Sequence, residues 1–254
     1  MGQNMKRITG NFGELEIQFG TITGRGEKTT RELLTTLLHR IVVRSTGYYD
    51  EAAGVIKNPC YQDHVFTFSE RQFHSVICPA VADLTPYFLL ENPLSRKPAG
   101  EEEYSGSVDY WLYYKDYSYM IELKHAYLAY TRADNPRATV VERFSEALQQ
   151  LGNIRIEECR SLRFGKGLRK IALEAIVFYR GSKRKSTLEA DMKNKDFRIV
   201  YRKLLRVPEF AHKSNLNALW VLKKRLVSPY EYSKTSYEVY PAVAFIGNVF
   251  DVVK

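Results

Sequence analysis

Ser107-Val108-Asp109-Tyr110-Trp111-Leu112-Tyr113-Tyr114-Lys115-Asp116-Tyr117-Ser118-Tyr119-Met120-Ile121-Glu122-Leu123-Lys124 is the stretch whose reading decides the fold. Aromatic and β-branched residues crowd both halves, as in strands, and Lys115-Asp116 separates them. The pattern predicts an antiparallel pair, Ser107–Tyr114 with Tyr117–Tyr127. Side chains alternate along a strand, so Glu122 and Lys124 share a face. If Lys115-Asp116 is the loop, Tyr114 faces Tyr117 and Asp109 falls opposite Glu122. A four-residue loop keeps that register, whereas a three-residue loop would flip the faces. Carboxylates with Cβ atoms about 5 Å apart repel unless a cation lies between them. Such a pair suits a hard divalent ion such as Mg²⁺, which needs one or two protein carboxylates plus water and phosphate.

Outward from the hairpin, several elements are predicted. Upstream, Phe12 to Thr23 alternates as a strand or hairpin, and Gly24-Arg25-Gly26 breaks the chain. A helix follows over 30–43, with Leu33, Leu34, Leu37, Leu38 and Ile41 on one stripe and Thr29 with Glu32 as a capping box. Residues 44–64 read as loop. Ser69 with Gln72 marks the start of a second helix, whose Phe73, Ile77 and Ala80 share a face and which Pro79 ends or kinks. Pro86 to Glu91 reads as a strand, and 92–106 as a polar loop.

Downstream, a helix is predicted over 136–155 with Val140, Val141, Phe144, Leu148 and Leu151 on its buried stripe. Ile171 to Tyr179 is an apolar strand, a basic helix runs from Asp196 to Val207, and Asn217–Leu226 and Tyr237–Val253 are further strands. The order implies an α/β protein, a mixed sheet flanked by helices.

Ser107-Val108-Asp109 and Glu122-Leu123-Lys124, joined by a tight hairpin, resemble the PD-(D/E)xK nuclease superfamily, the restriction-endonuclease-like fold. The triplet alone is weak: it also occurs as Asp191-Met192-Lys193, in a polar segment without strand character. The surrounding helices and strands give it weight. The resemblance implies an αβββαβ core over 69–180, an N-terminal elaboration over 1–64 and a basic C-terminal one over 181–254, in one domain spanning 1–254. It implies that Asp109 and Glu122 hold one or two ions, with the Leu123 carbonyl as a further ligand, and that Lys124 positions the attacking water. A glutamate on the first core helix often joins such sites; Glu70 matches better than Glu32, which lies on a polar face. Val108 stands where the family has proline, and Gln149 or Gln150 could supply its common glutamine. The expected activity is Mg²⁺-dependent phosphodiester hydrolysis, with Mn²⁺ as a substitute, DNA favoured over RNA, and cutting within a strand or from its ends left open.

Charge supports a polyanionic partner. The chain has 254 residues and a formal charge of +9. Residues 151–227 hold 20 basic and 7 acidic side chains, whereas 1–150 hold 16 and 19. Arg163, Lys166, Arg169, Lys170, Lys183, Arg184 and Lys185 are the expected nucleic-acid contacts. The chain is 44% hydrophobic, enough for a sizeable core. No apolar run spans a membrane, no signal-peptide pattern is read at the N-terminus, and three scattered cysteines make no disulfide framework. The expected setting is cytoplasmic, without membrane partners, and a homodimer is left open.

Other signals read as structural. Gly24-Arg25-Gly26-Glu27-Lys28-Thr29 lacks the adjacent Gly-Lys-Thr of a phosphate loop. His125 points to the opposite face from Lys124. His39, His64, His74 and His212 lack metal-ligand spacing. The tyrosines Tyr110, Tyr113, Tyr114, Tyr117 and Tyr119 are sheet formers before they are base-stacking platforms. A two-carboxylate glycosidase leaves Lys124 and the basic segment without a role. The alternative from another class is a catalytically inactive nucleic-acid-binding or assembly protein that retains the nuclease fold.

Overall fold

The computed structural model describes residues 5–55, 65–67, 70–227 and 229–252, without the side chains of 51–55, 230 and 232. Nine strands form one mixed sheet. In chain order they are β1 (Met5–Gly10), β2 (Gly13–Phe19), β3 (Phe88–Arg96), β4 (Tyr104–Tyr114), β5 (Tyr117–Ala129), β6 (Gly167–Ser182), β7 (Leu216–Leu222), β8 (Tyr230–Ser233) and β9 (Ser236–Asp251). Across the sheet the order is β1-β2-β7-β9-β6-β5-β4-β3, with β8 on β9. Only β5 and β6 run parallel; every other pairing is antiparallel.

The helices are α1 (Glu27–Val55), α2 (His74–Ala82), α3 (Ala138–Gly152), α4 (Ile156–Ser161), α5 (Lys185–Asn194), α6 (Phe197–Leu204) and α7 (Pro208–Lys213). They form a layer on each face of the sheet. Leu34, Leu38 and Ile41 of α1 and Val76, Ala80 and Val81 of α2 pack with Leu123, Leu173 and Trp220. Val140, Phe144 and Leu151 of α3, with Val200 and Leu204 of α6, pack with Met120, Ala172 and Ile176. The parallel step from β5 to β6 needs a long crossover, and α3 supplies it. The expected mixed sheet flanked by helices is therefore present. The N- and C-terminal elements join it: β9, β7, β2 and β1 continue the sheet beyond β6.

Several boundaries differ from expectation. The segment over 44–64 is not all loop, because α1 continues to Val55; residues 56–64 and the predicted cap Ser69 lie outside the described residues. The Thr29–Glu32 capping box is absent. The helix begins earlier, Thr30 bonds back to the Gly26 carbonyl, and Glu32 instead accepts from Tyr114 and Lys115. Gly26 takes φ +86°, and the Tyr117 ring packs where its side chain would stand. Pro79 lies inside α2, which ends three residues later. Residues 92–106 are not a loop throughout, since β3 runs on to Arg96. Proline is tolerated on an edge strand, where its missing N–H takes no ladder bond, and β3 ends the sheet. The polar segment before the basic helix contains α5; the basic helix is α6, which Asp196 caps through the Arg198 N–H and which ends at Leu204, and α7 follows beyond the expected end.

Candidate functional site

The β4–β5 hairpin turns at Lys115 and Asp116, both at positive φ, 45° and 69°, as a two-residue type I′ loop requires. The register is the expected one: Tyr114 pairs with Tyr117, Leu112 with Tyr119, and Tyr110 with Ile121. One step further the ladder stops, so Asp109 and Glu122 are not paired.

The break has a cause in β4. Tyr110 and Leu112 pack into the α1–α2 core, but Val108, of the same parity, packs into the α3 core. The strand therefore rotates at Asp109. Its β3 neighbour Glu91, facing Asp109 in that register, holds φ 49°, a sparsely populated conformation for a non-glycine residue.

This rotation frees the edge of β5. In an unbroken ladder the Leu123 N–H would go to the Val108 carbonyl; instead Asp109 Oδ2 accepts it at 2.7 Å. At the next such position the carboxylate of Glu70, from the 3₁₀ turn preceding α2, lies near the His125 N–H, which lowers its pKa against burial. Two acids from separate elements thus face consecutive free amides of β5, about 7 Å apart. The N–H and C=O of one strand residue point to the same side, so the Leu123 carbonyl shares this edge.

Glu122 is 2% exposed and Lys124 8%. Glu122 Oε1 accepts from Lys124 Nζ at 3.0 Å and Oε2 from Arg96 Nη2 at 3.1 Å. Arg96, also buried, donates further to the Ser107 carbonyl. Burial raises the pKa of Glu122, and the Asp109 charge raises it further against the pull of Lys124 and Arg96. Burial likewise raises Asp109, opposed by the Leu123 N–H and Lys124. Glu70 rises through burial and the Asp109 charge. Three acids held above their ordinary range in one place fit the want of a cation. Among the described residues, no three His, Cys, Asp or Glu side chains group closely enough to hold a metal by themselves. Mg²⁺ asks less: one or two carboxylates, with water and phosphate completing its shell.

The proposed phosphate contacts separate into three groups. Arg163 and Lys166 are exposed near the N-terminal ends of β5 and β6, where Lys166 pairs with Asp116. Lys183, Arg184 and Lys185 are exposed just past the opposite end of β6. Arg169 and Lys170 are a correction: both are buried. Arg169 Nη2 donates to the Thr23 and Arg25 carbonyls at 2.9 and 2.8 Å. Lys170 Nζ donates to the Leu151 carbonyl near the end of α3 at 2.7 Å. These cations satisfy backbone oxygens within the fold.

Two residues at the site were not legible in the sequence. Arg96 falls in the segment expected to be loop, although Asn92, Leu94 and Arg96 alternate inward as a strand would. Glu174 lies beside Lys124 in the parallel register. It is fully buried, its carboxylate oxygens have no hydrogen-bond partner, and burial raises its pKa well above the usual range. A lone carboxylate within the apolar run Ile171–Phe178 was its available signal. His125, read as structural, packs edge-on against Phe73 and Tyr127, and burial lowers its pKa to about 4.

The fold and this edge define a mixed α/β protein with a buried acidic and basic cluster where two strands part. Comparison with family models, curated proteins and solved structures found no match to the chain. No described helix is long and apolar enough to cross a membrane.

Proposed function

We propose that the chain is a metal-dependent nuclease of the restriction-endonuclease-like type, hydrolysing phosphodiester bonds, with DNA the favoured substrate. The observation that carries this reading is the convergence of Asp109, Glu70, Glu122 and Lys124 on one broken stretch of the β4–β5 ladder. The element order from the 3₁₀ turn at Glu70 through α2, β3, β4, β5, α3, the short α4 and β6 supports it, being helix, three strands, a helical crossover and strand.

Asp109, Glu122 and the Leu123 carbonyl would hold Mg²⁺ or Mn²⁺, with Glu70 reaching a second ion or an outer-shell water. When bound, such an ion polarises the scissile phosphate, makes water nucleophilic at neutral pH and stabilises the leaving oxygen. Lys124, held by Glu122, orients the attacking water and offsets negative charge growing on the phosphate. Arg96, with Lys124, opposes the upward pull of burial on the Glu122 pKa and fixes the carboxylate's direction. Lys183, Arg184 and Lys185 bind backbone phosphates, fixing the position of the strand without reading its sequence.

One observation favours the second reading, a non-cleaving nucleic-acid-binding protein: both oxygens of Glu122 are already paired with cations. Incubation of supercoiled plasmid, single-stranded DNA and RNA with Mg²⁺ or Mn²⁺, with and without chelator, separates the two. Chelator-sensitive cleavage lost in Asp109→Ala and Lys124→Ala supports the nuclease. Nucleic-acid binding without cleavage under any of these metals supports the alternative.

A further inference from the structure

We propose that a cavity at the C-terminal ends of β5 and β6 receives one nucleotide of a single nucleic-acid strand, its phosphate on Arg132 and Arg137 and its base against Tyr127 and Tyr179. The proposal deepens the nuclease reading and rests on it for the strand's path past Lys124.

The cavity is about 380 Å³, near the lower end of the range for small-ligand sites. Its polar side chains are Tyr127, Thr131, Arg132, Arg137, Tyr179 and Arg180, and among the described residues no carboxylate lines it. Arg180 shares its charge with Asp191. Arg132 and Arg137 are exposed, and their guanidinium groups make no ion pair or side-chain hydrogen bond among the described residues. Two guanidinium groups lining one cavity without an acid offer an anion site, and their planar forks match phosphate oxygens.

The opposite wall is aromatic. Tyr127 and Tyr179 meet edge to face, centroids 6.4 Å apart at 88°, and Tyr240 touches both at 6.3 Å. The Tyr127 hydroxyl donates to the Thr67 carbonyl at 2.7 Å, so the ring is tethered although the residue is 40% exposed. An exposed, tethered ring beside unpaired guanidinium groups offers both halves of a nucleotide a partner: stacking for the base and charge for the phosphate. An acidic peptide would use the arginines but leave the rings idle.

Position ties the cavity to the carboxylate edge. Tyr127 lies three residues beyond Lys124 on β5, about 10 Å along the strand. Lys183, Arg184 and Lys185 follow β6 past the same end and prolong the positive path.

The test is binding in chelator, so that cleavage plays no part. The probes are fluorescein-labelled dT10, with dTMP and inorganic phosphate as competitors. Arg132→Gln/Arg137→Gln is expected to weaken dT10 binding at least tenfold. It should also make the dependence of log affinity on log salt shallower by about 0.7, the value for one phosphate contact on a single strand. Tyr127→Leu should weaken binding roughly 5- to 150-fold with the salt slope unchanged, and dTMP should compete far better than phosphate. Circular dichroism checks folding; the arginine pair is exposed, so it tests the site even if the tyrosine variant unfolds. Unchanged dT10 affinity in the folded arginine variant overturns the proposal, as does equal competition by phosphate and dTMP. Plasmid cleavage is scored separately. A protein that binds through the cavity but never cleaves defeats the nuclease reading alone, and one that cleaves with cavity-independent binding defeats this proposal alone.

Discussion

Asp109 accepts the backbone N–H of Leu123 at 2.7 Å, taking the place of the carbonyl that an unbroken β4–β5 ladder would have offered. The carboxylate proposed as a metal ligand therefore also seals a strand edge, and the two roles are separable. Asp109→Asn keeps an acceptor for the amide and should unfold within about 1 kcal/mol of the parent in urea, whereas Asp109→Ala should lose about 1–3 kcal/mol. Both should lose Mn²⁺ binding by calorimetry. Metal binding retained in either variant would count against Asp109 as a ligand.

Arg96 and Glu122 are a buried ion pair, 4% and 3% exposed at their side chains. Removing one member leaves the other charged without its partner, a change that costs about 3–5 kcal/mol. Arg96→Met should show that loss in chemical denaturation. Arg96→Met/Glu122→Gln/Lys124→Met should recover part of it, because none of the three buried charges then stands alone. A triple variant as unstable as the single would show that packing of the arginine stem, not charge, is what matters.

Glu174 makes stability fall with pH. Its pKa is raised in the folded protein, so between the ordinary glutamate value and that raised value the native state binds more protons than the unfolded chain. Stability from this group is complete below the unfolded pKa and declines as pH climbs through the folded one, by up to about 1.4 kcal/mol per pH unit. Glu174→Gln should flatten this slope and melt at a higher temperature at pH 8, with a smaller difference at pH 4.5. Equal melting shifts at both pH values would contradict the burial of a protonated carboxyl.

The basic residues should divide by burial. Lys170→Gln should lower the melting temperature, because the Leu151 carbonyl loses its donor, yet leave DNA affinity in the folded protein near that of the parent. Replacing Lys183, Arg184 and Lys185 with glutamine should leave melting unchanged, weaken binding at low salt and reduce the salt slope. Titrations at several salt concentrations distinguish these outcomes.

By itself, the sequence determined the α/β layering, the hairpin and its register, and the candidates Asp109, Glu122 and Lys124. Those depend on short-range rules: period-two alternation, positive-φ turn residues at Lys115-Asp116, and the apolar stripe of α3. Only the tertiary structure decided what those residues do together. The rotation of β4 at Asp109 arises from Val108 packing into one core and Tyr110 into the other, a choice set by helices distant in sequence. That rotation turns an expected cross-strand pair into an open edge, and it leaves room for Glu70 near the next amide. Burial, too, was set by tertiary packing. It made Arg169 and Lys170 supports of the fold, brought Arg96 to Glu122 from a segment that reads as loop, and left Glu174 a buried carboxyl with its pKa raised. Local pattern fixes which face a side chain takes, whereas the dielectric and the partners it meets there depend on which distant segments cover that face.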